Sequence, residues 1–210
     1  SLVGSEMCIR DRSDMGKALP SYEEIPIACR MDEVVQSEYK RIENALVRVL
    51  RSDRRVAKKI LSAYLNLLTV YPDQPYDQKP ILYPDSDVPI VEPENIGDAD
   101  TLREKEQRTL EIVRAAIQNG ERALIYTSWV RTDSQQKLKK LLTDEGYRTE
   151  ILTDKIKTTD REDWVQKKLA AGMQVLIVNP SLVETGLDLN AFTTLVFYSM
   201  GLSLIHISEP

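Results

Sequence analysis

The sequence is poor in the residues that metal and hydrolytic chemistry most often use. Its 210 residues include two cysteines, Cys8 and Cys29, and one histidine, His206. A Cys/His zinc site needs several such ligands together, so that chemistry is excluded, and so is a Ser-His-Asp triad once His206 is set aside below. No run approaches the roughly 20 consecutive apolar residues that span a bilayer, which excludes a membrane partner. Neither a Gly-x-x-x-x-Gly-Lys-Ser/Thr phosphate loop nor a metal-holding Asp-Glu pair after a strand occurs, so the half that would cradle a triphosphate and its Mg2+ is absent from this sequence. With 28 basic and 33 acidic side chains, a net charge of −5, the protein is not globally basic.

The two ends stand apart from the rest. Residues 2–12, LVGSEMCIRDR, and residues 202–210, LSLIHISEP, resemble translations of the two strands of a transposase sequencing adapter. The codons ATG TGT ATA AGA GAC encode Met7, Cys8, Ile9, Arg10 and Asp11. Their reverse complement, in a shifted frame, encodes Ser203, Leu204, Ile205 and His206. The first segment lacks the apolar core of a signal peptide and the second is too short for a membrane anchor. Setting residues 1–12 and 202–210 aside leaves 189 residues with 26 basic and 30 acidic side chains, a net charge of −4. Cys29 is then the one cysteine and no histidine remains, which rules out a disulfide framework and fits a reducing cytoplasm.

Residues 13–71 predict an entry strand and a helical hairpin. Residues 25–29 form a short apolar run that reads as a strand. Asp32 then caps a helix to about residue 50, with Val35, Tyr39, Ile42, Leu46 and Val49 at three- and four-residue spacing. A second helix covers residues 54–70. At their junction Arg48, Arg51, Arg54, Arg55, Lys58 and Lys59 face the single acid Asp53. Arg54, Arg55, Lys58 and Lys59 are candidate phosphate contacts, and a solvated helix face and turn has the same composition.

Residues 72–100 break the helical pattern. Six prolines and eight carboxylates fall there, balanced only by Lys79. That density of proline favours an extended, acidic linker wrapping over the domain that follows, or one that pairs in part as an edge strand through Pro89, Ile90 and Val91.

From residue 101 to 201 strands and helices alternate, which predicts an α/β domain with a parallel sheet and right-handed crossovers. A helix over residues 101–119 stops at Gly120 and a buried strand follows at 122–126. Thr132, Asp133, Ser134 and Gln135 read as a capping box opening a helix that ends at Gly146, and a strand follows at 148–152. Thr159, Asp160, Arg161 and Glu162 read as a second box, and Gly172 ends its helix. The last two strands, 175–178 and 195–198, flank a polar loop, residues 179–190. In an open α/β sheet, ligands bind at the loops leaving the carboxyl ends of strands, which makes that loop the candidate site. Its centre is Thr185, Gly186, Leu187, Asp188 and Leu189. Glycine there allows a conformation and a close approach that a side chain would block, and a carboxylate two residues on can accept from a ribose hydroxyl.

The run NPSLVETGLDLNAFTTLVFY, residues 179–198, resembles motif V of the superfamily 2 helicases and translocases, and its wording is similar to bacterial Snf-type helicase proteins found on mobile elements and in phage-like contexts. Residues 123–129, ALIYTSW, resemble motif IV of the same superfamily, and the segment from Leu19 to the helix at Asp32 is similar to the entry into its second motor domain. The resemblance implies a RecA-like three-layer domain preceded by the helical hairpin and the Pro-rich linker. It implies that Thr185 and Gly186 lie between DNA and nucleotide, with Gly186 on the ATP side, and that Asp188 hydrogen-bonds the ATP ribose or braces the arginine-bearing segment that follows. ATP and Mg2+ would be held mainly by an N-terminal RecA-like domain of the same protein, the chain's other expected partner besides DNA.

Thr127 and Ser128 offer hydroxyls and N–H groups at a strand's carboxyl end, Arg131 a fork for phosphate, and Thr153 the matching edge after the next strand. Strand termination and helix capping use the same groups, and Asp188 in a loop can bond its own backbone instead. Trp129 fits base stacking or plain packing. A doubly wound small-molecule enzyme would share the sheet but needs a glycine-rich turn after its first strand, and Tyr126-Thr127-Ser128-Trp129 has none. A nucleic-acid or protein interaction module with the same fold is the other reading. Motif VI of the family would begin where residue 201 gives way to the adapter-like tail, so the expected gene continues into a helix bearing Gln-x-x-Arg-x-x-Arg, and the fragment alone is expected to be inactive.

Overall fold

The computed structural model describes residues 23–128, 134–184 and 186–199. Helix α1 (Glu33–Ser52) buries Val35, Ile42, Ala45, Leu46 and Val49, an apolar stripe at helical spacing. Helix α2 (Arg54–Val70) buries Ala57, Ile60, Tyr64, Leu67 and Val70 against it. A single extended residue joins them. Asp53 ends α1 through its N–H to the Val49 carbonyl, 2.9 Å, while its carboxylate accepts from the N–H groups of Arg55 and Val56 at 2.9 and 3.1 Å. One side chain thus satisfies two otherwise orphaned donors of α2, which is what makes so tight a hairpin feasible. Asp32 stands at the start of α1 but makes no side-chain cap. Residues 25–29 are exposed coil and not the strand their composition suggests. Among the described residues no strand pairs with them.

The acidic, proline-rich segment pairs within itself. Strands β1 (Ile81–Leu82) and β2 (Pro89–Val91) run antiparallel, and Ile81 and Val91 complete the apolar core of α1 and α2. The segment therefore belongs to the hairpin's own core, with Pro89 at a strand start where its missing N–H is tolerated. Buried Asp73 binds Lys105 of α3 (Glu104–Gln118) through both oxygens, at 2.7 and 2.8 Å. Burial pushes the Asp73 carboxyl up even so, against the pull of the Lys105 ammonium.

The remaining elements are β3 (Ala123–Thr127), α4 (Ser134–Asp144), β4 (Thr149–Leu152), α5 (Arg161–Ala170), β5 (Val175–Val178) and β6 (Thr194–Ser199). The four strands form one parallel sheet in the order β4-β5-β3-β6. All four residues of β5, from Val175 to Val178, are buried, as an apolar run with no alternation should be when both faces are covered. Leu110, Val113, Leu138 and Leu142 of α3 and α4 pack on one face, with Ile125 and Ile177. Val165 of α5 and Phe192 pack on the other, with Leu124, Leu176 and Val178. This is the predicted three-layer α/β arrangement.

One helix start differs from expectation. The box at Thr159 to Glu162 does not form: residues 158–160 make a 3-10 turn, the Thr159 hydroxyl binds its neighbour Asp160, and α5 begins at Arg161. The box beginning at Thr132 lies partly outside the described residues. A carboxylate instead serves the start of α3, where the Arg103 N–H donates to Glu106 Oε2 at 2.9 Å.

Candidate nucleotide and nucleic-acid face

The carboxyl ends of the four parallel strands are knitted side to side. The Ser128 N–H donates to the Ser199 carbonyl at 3.1 Å and its hydroxyl to the same oxygen at 3.0 Å, tying the end of β3 to that of β6. Asn179 ties it to β5. Its Nδ2 donates to the Ser128 carbonyl at 3.1 Å, while its Oδ1 accepts from the N–H and hydroxyl of Ser181, at 2.9 and 2.7 Å. An Asn followed by Pro and Ser is a turn signal that could have marked this bridge in advance.

The loop leaving β5 is held by apolar plugs and by α5. Leu182, Val183, Leu187 and Leu189 pack against the core beneath α5. Buried Arg161 donates to the carbonyls of Ile156 and Leu182, at 3.2 and 2.9 Å, so one guanidinium joins the loops after β4 and β5. Glu162, at the start of the same helix, accepts from the Asp188 N–H at 2.9 Å. Pattern reading assigned these two residues to a helix cap. Their work is to hold the loop.

Gly186 has φ +83, a left-handed conformation, and a Cβ built there would meet nothing within 4 Å. The residue is required by its backbone angle and not by crowding within this chain. Asp188 is exposed and its Oδ1 accepts from the Asn190 N–H at 3.0 Å, the local turn that was the alternative to ribose binding. Its carboxylate remains at the solvent-facing edge, where an acceptor for a hydroxyl group fits. Among the described residues no three His, Cys, Asp or Glu side chains are grouped to hold a metal ion.

Thr127 and Ser128 part company. The Thr127 side chain is fully buried and its hydroxyl accepts from Gln135 Nε2 at 2.7 Å, so it is closed to a nucleic acid that its sequence position suggested it could touch. Ser128 and Thr153 are half-buried at the sheet's edge. Trp129, Arg131 and Thr185 lie outside the described residues. Arg54, Arg55, Lys58 and Lys59 are all exposed on the first turns of α2, well separated in sequence from the sheet edge.

Residues 104–207 match the family model described as helicase conserved C-terminal domain. That segment belongs to this family. Solved structures share the fold across most of the chain. The Sulfolobus solfataricus SWI2/SNF2 ATPase C-terminal domain aligns at TM-score 0.62 and 17% identity, over 82% of this chain and 69% of that one. The Sulfolobus solfataricus SWI2/SNF2 ATPase core in complex with dsDNA aligns at 0.60 and 18%, over 81% of this chain, which spans 33% of that core. The C-terminal part of the Fun30 ATPase domain aligns at 0.60 and 11%, over 87% and 77%. No curated protein matches the sequence. The helicase C-terminal segment thus takes in α3 to β6 and the whole candidate face, and no helix among the described residues is long and apolar enough to cross a membrane.

Proposed function

We propose that this chain supplies the second motor domain, with its entry segment, of an Snf-type ATP-dependent DNA helicase or translocase. The observation that carries the reading is the coincidence of the helicase C-terminal match with a polar loop, residues 179–190, at the carboxyl edge of a parallel sheet. In this reading Gly186 and Asp188 border the nucleotide, and Ser128, Thr153, Arg131 and Thr185 contact DNA, while Thr127 only positions the strand end through Gln135. ATP and Mg2+ belong mainly to an N-terminal RecA-like domain of the same protein, and closing of the two domains around the nucleotide moves the DNA by a step. The setting is cytoplasmic. The 210-residue chain titrated with labelled duplex DNA across a salt series tests it: log affinity should fall linearly with log salt, as release of counterions requires. Absence of DNA binding at low salt would remove the motor reading in favour of a protein-interaction module.

A further inference from the structure

Ion pairs are unevenly spread over the cations of this protein. On the α/β part Lys105, Arg108, Arg114, Lys137, Lys139, Lys140 and Lys168 each pair with a carboxylate, while Arg103, Arg122, Arg148, Lys155, Lys157, Arg161 and Lys167 make no ion pair among the described residues. On the helical hairpin Arg41 pairs with Glu38 and Lys59 weakly with Asp85 at 3.3 Å, whereas among the described residues Lys40, Arg48, Arg51, Arg54, Arg55 and Lys58 make no ion pair. Six of the eight cations of α1 and α2 are thus unpaired among the described residues, all between residues 40 and 58.

Lys40, Asn44, Arg48 and Arg51 follow one another at four-, four- and three-residue steps and so lie along one face of α1. Together with Ser37 and Arg41 they line a shallow open trough of about 580 Å³. Every lining residue comes from this single helix. A trough without a second wall cannot enclose a small molecule, but it offers a row of donors to an extended anion. With a rise of 1.5 Å per residue, Lys40 to Arg51 covers about 16 Å of helix, long enough to meet more than one phosphate of a strand. Arg48 and Arg51, one turn apart, repel each other in the free protein, and a bound polyanion relieves that repulsion.

We infer that the outer face of α1, through Lys40, Arg48 and Arg51 with Asn44 between them, is a docking surface for the phosphate backbone of one strand of duplex DNA. This rests on the motor reading and adds to it a contact on the entry segment, away from the sheet edge. The shared direction of the three cations fits a backbone track, and none of them is needed for the core, since all three are exposed.

The test compares three forms of the 210-residue chain binding a labelled DNA duplex from low to physiological salt. The forms are the unaltered chain, Lys40→Gln/Arg48→Gln/Arg51→Gln, and a charge-matched control, Arg30→Gln/Lys79→Gln/Lys167→Gln, which removes three exposed cations elsewhere. Circular dichroism checks that each remains folded. The groove variant should lose about 2 to 3 units of the slope of log affinity against log salt, near one per lost phosphate contact, and the control should lose less than about one unit. Equal losses in the two variants, or an unchanged slope in the first, would overturn the α1 track while leaving the motor reading intact. No duplex binding by the unaltered chain would overturn both, and groove-dependent binding of an acidic peptide without DNA binding would assign the face to a protein partner instead.

Discussion

The Lys137 ammonium lies 2.8 Å from Glu106 Oε1 with 7% and 2% of the two side chains exposed, an ion pair almost wholly withdrawn from water. Lys137 also donates to the Thr101 carbonyl at 2.7 Å, and Glu106 accepts from the Tyr198 hydroxyl at 3.3 Å and the Arg103 N–H at 2.9 Å. The pair therefore joins α3, α4, β6 and the chain segment that enters them. A buried pair adds little over a well-packed apolar one, but losing one partner leaves a charge uncompensated, at a cost of about 3–5 kcal/mol.

Lys137→Met should accordingly lower unfolding free energy by about 3 kcal/mol, and adding Glu106→Gln should restore part of it, because the second change removes the stranded charge. Urea denaturation of the two variants measures this. A single variant within about 1 kcal/mol of the original protein would show that the pair is not the brace described.

Glu150 offers a pH test. Its burial alone would raise the carboxyl, but hydrogen bonds from Lys168 and Lys139 outweigh that and hold it below the usual glutamate range. A folded value below the unfolded one contributes stability that is fully present above about pH 4.5 and is lost as pH falls toward the folded value. Glu150→Gln should therefore cost no more than about 1 kcal/mol at pH 7, the pair being partly exposed, and should flatten the fall in melting temperature below about pH 4.5. Parallel melting curves for the two proteins from pH 6 to pH 3 would refute the linkage.

Much of the architecture was legible because it rests on spacing. The stripes of α1 and α2, the unbroken apolar run of β5 and the glycines closing three helices all follow from local rules. What stayed hidden depends on partners far away in sequence. Glu106 and Lys137 look like surface charges until α3 and α4 are packed, and Thr127 looks like a strand-end donor until Gln135 of the next helix covers it. Residues 25–29 carry a strand's composition without a strand to pair with. At the candidate loop, Gly186 and Asp188 are visible from their turn chemistry, while Arg161 and Glu162 have the pattern of capping residues, because nothing local tells a cap from a brace.

At Gly186 the backbone angle sets the expectation. Gly186→Ala places a Cβ in open space but at φ +83, which costs roughly 1–2 kcal/mol for a residue with a side chain. Because the loop is tied down through Arg161 and Glu162, this strain should appear in global unfolding and not only in local fraying. A thermal melt within one degree of the original would show that the loop relaxes freely.

The first turns of α2 give a prediction in which stability and binding move apart. Arg54 and Arg55 sit in the first turn of α2, where the helix dipole disfavours positive charge and the Asp53 cap is the acid that offsets them, and Lys58 and Lys59 follow in the next turn. Changing all four to glutamine should leave the fold as stable or raise it by up to about 1 kcal/mol. If these side chains meet phosphates, the same change should flatten the salt slope of DNA binding by up to about 4 units. A stability gain with an unchanged slope would mark them as a solvated helix start.

Nucleotide chemistry is the last expectation. Phosphoryl transfer depends on positive charge and a metal ion placed against the transferring phosphate, held by a phosphate loop and nearby carboxylates. This sequence has no such loop, and among the described residues no three His, Cys, Asp or Glu side chains are grouped to hold a metal. Asp188 at the loop's edge is an anion and cannot stabilise charge on a leaving phosphate. The 210-residue chain should therefore release no phosphate from ATP above background, with or without duplex DNA, at any Mg2+ concentration. Turnover that survives purification to constant specific activity and is abolished by Asp188→Ala would place hydrolysis on this chain and overturn its assignment as the second half of a motor.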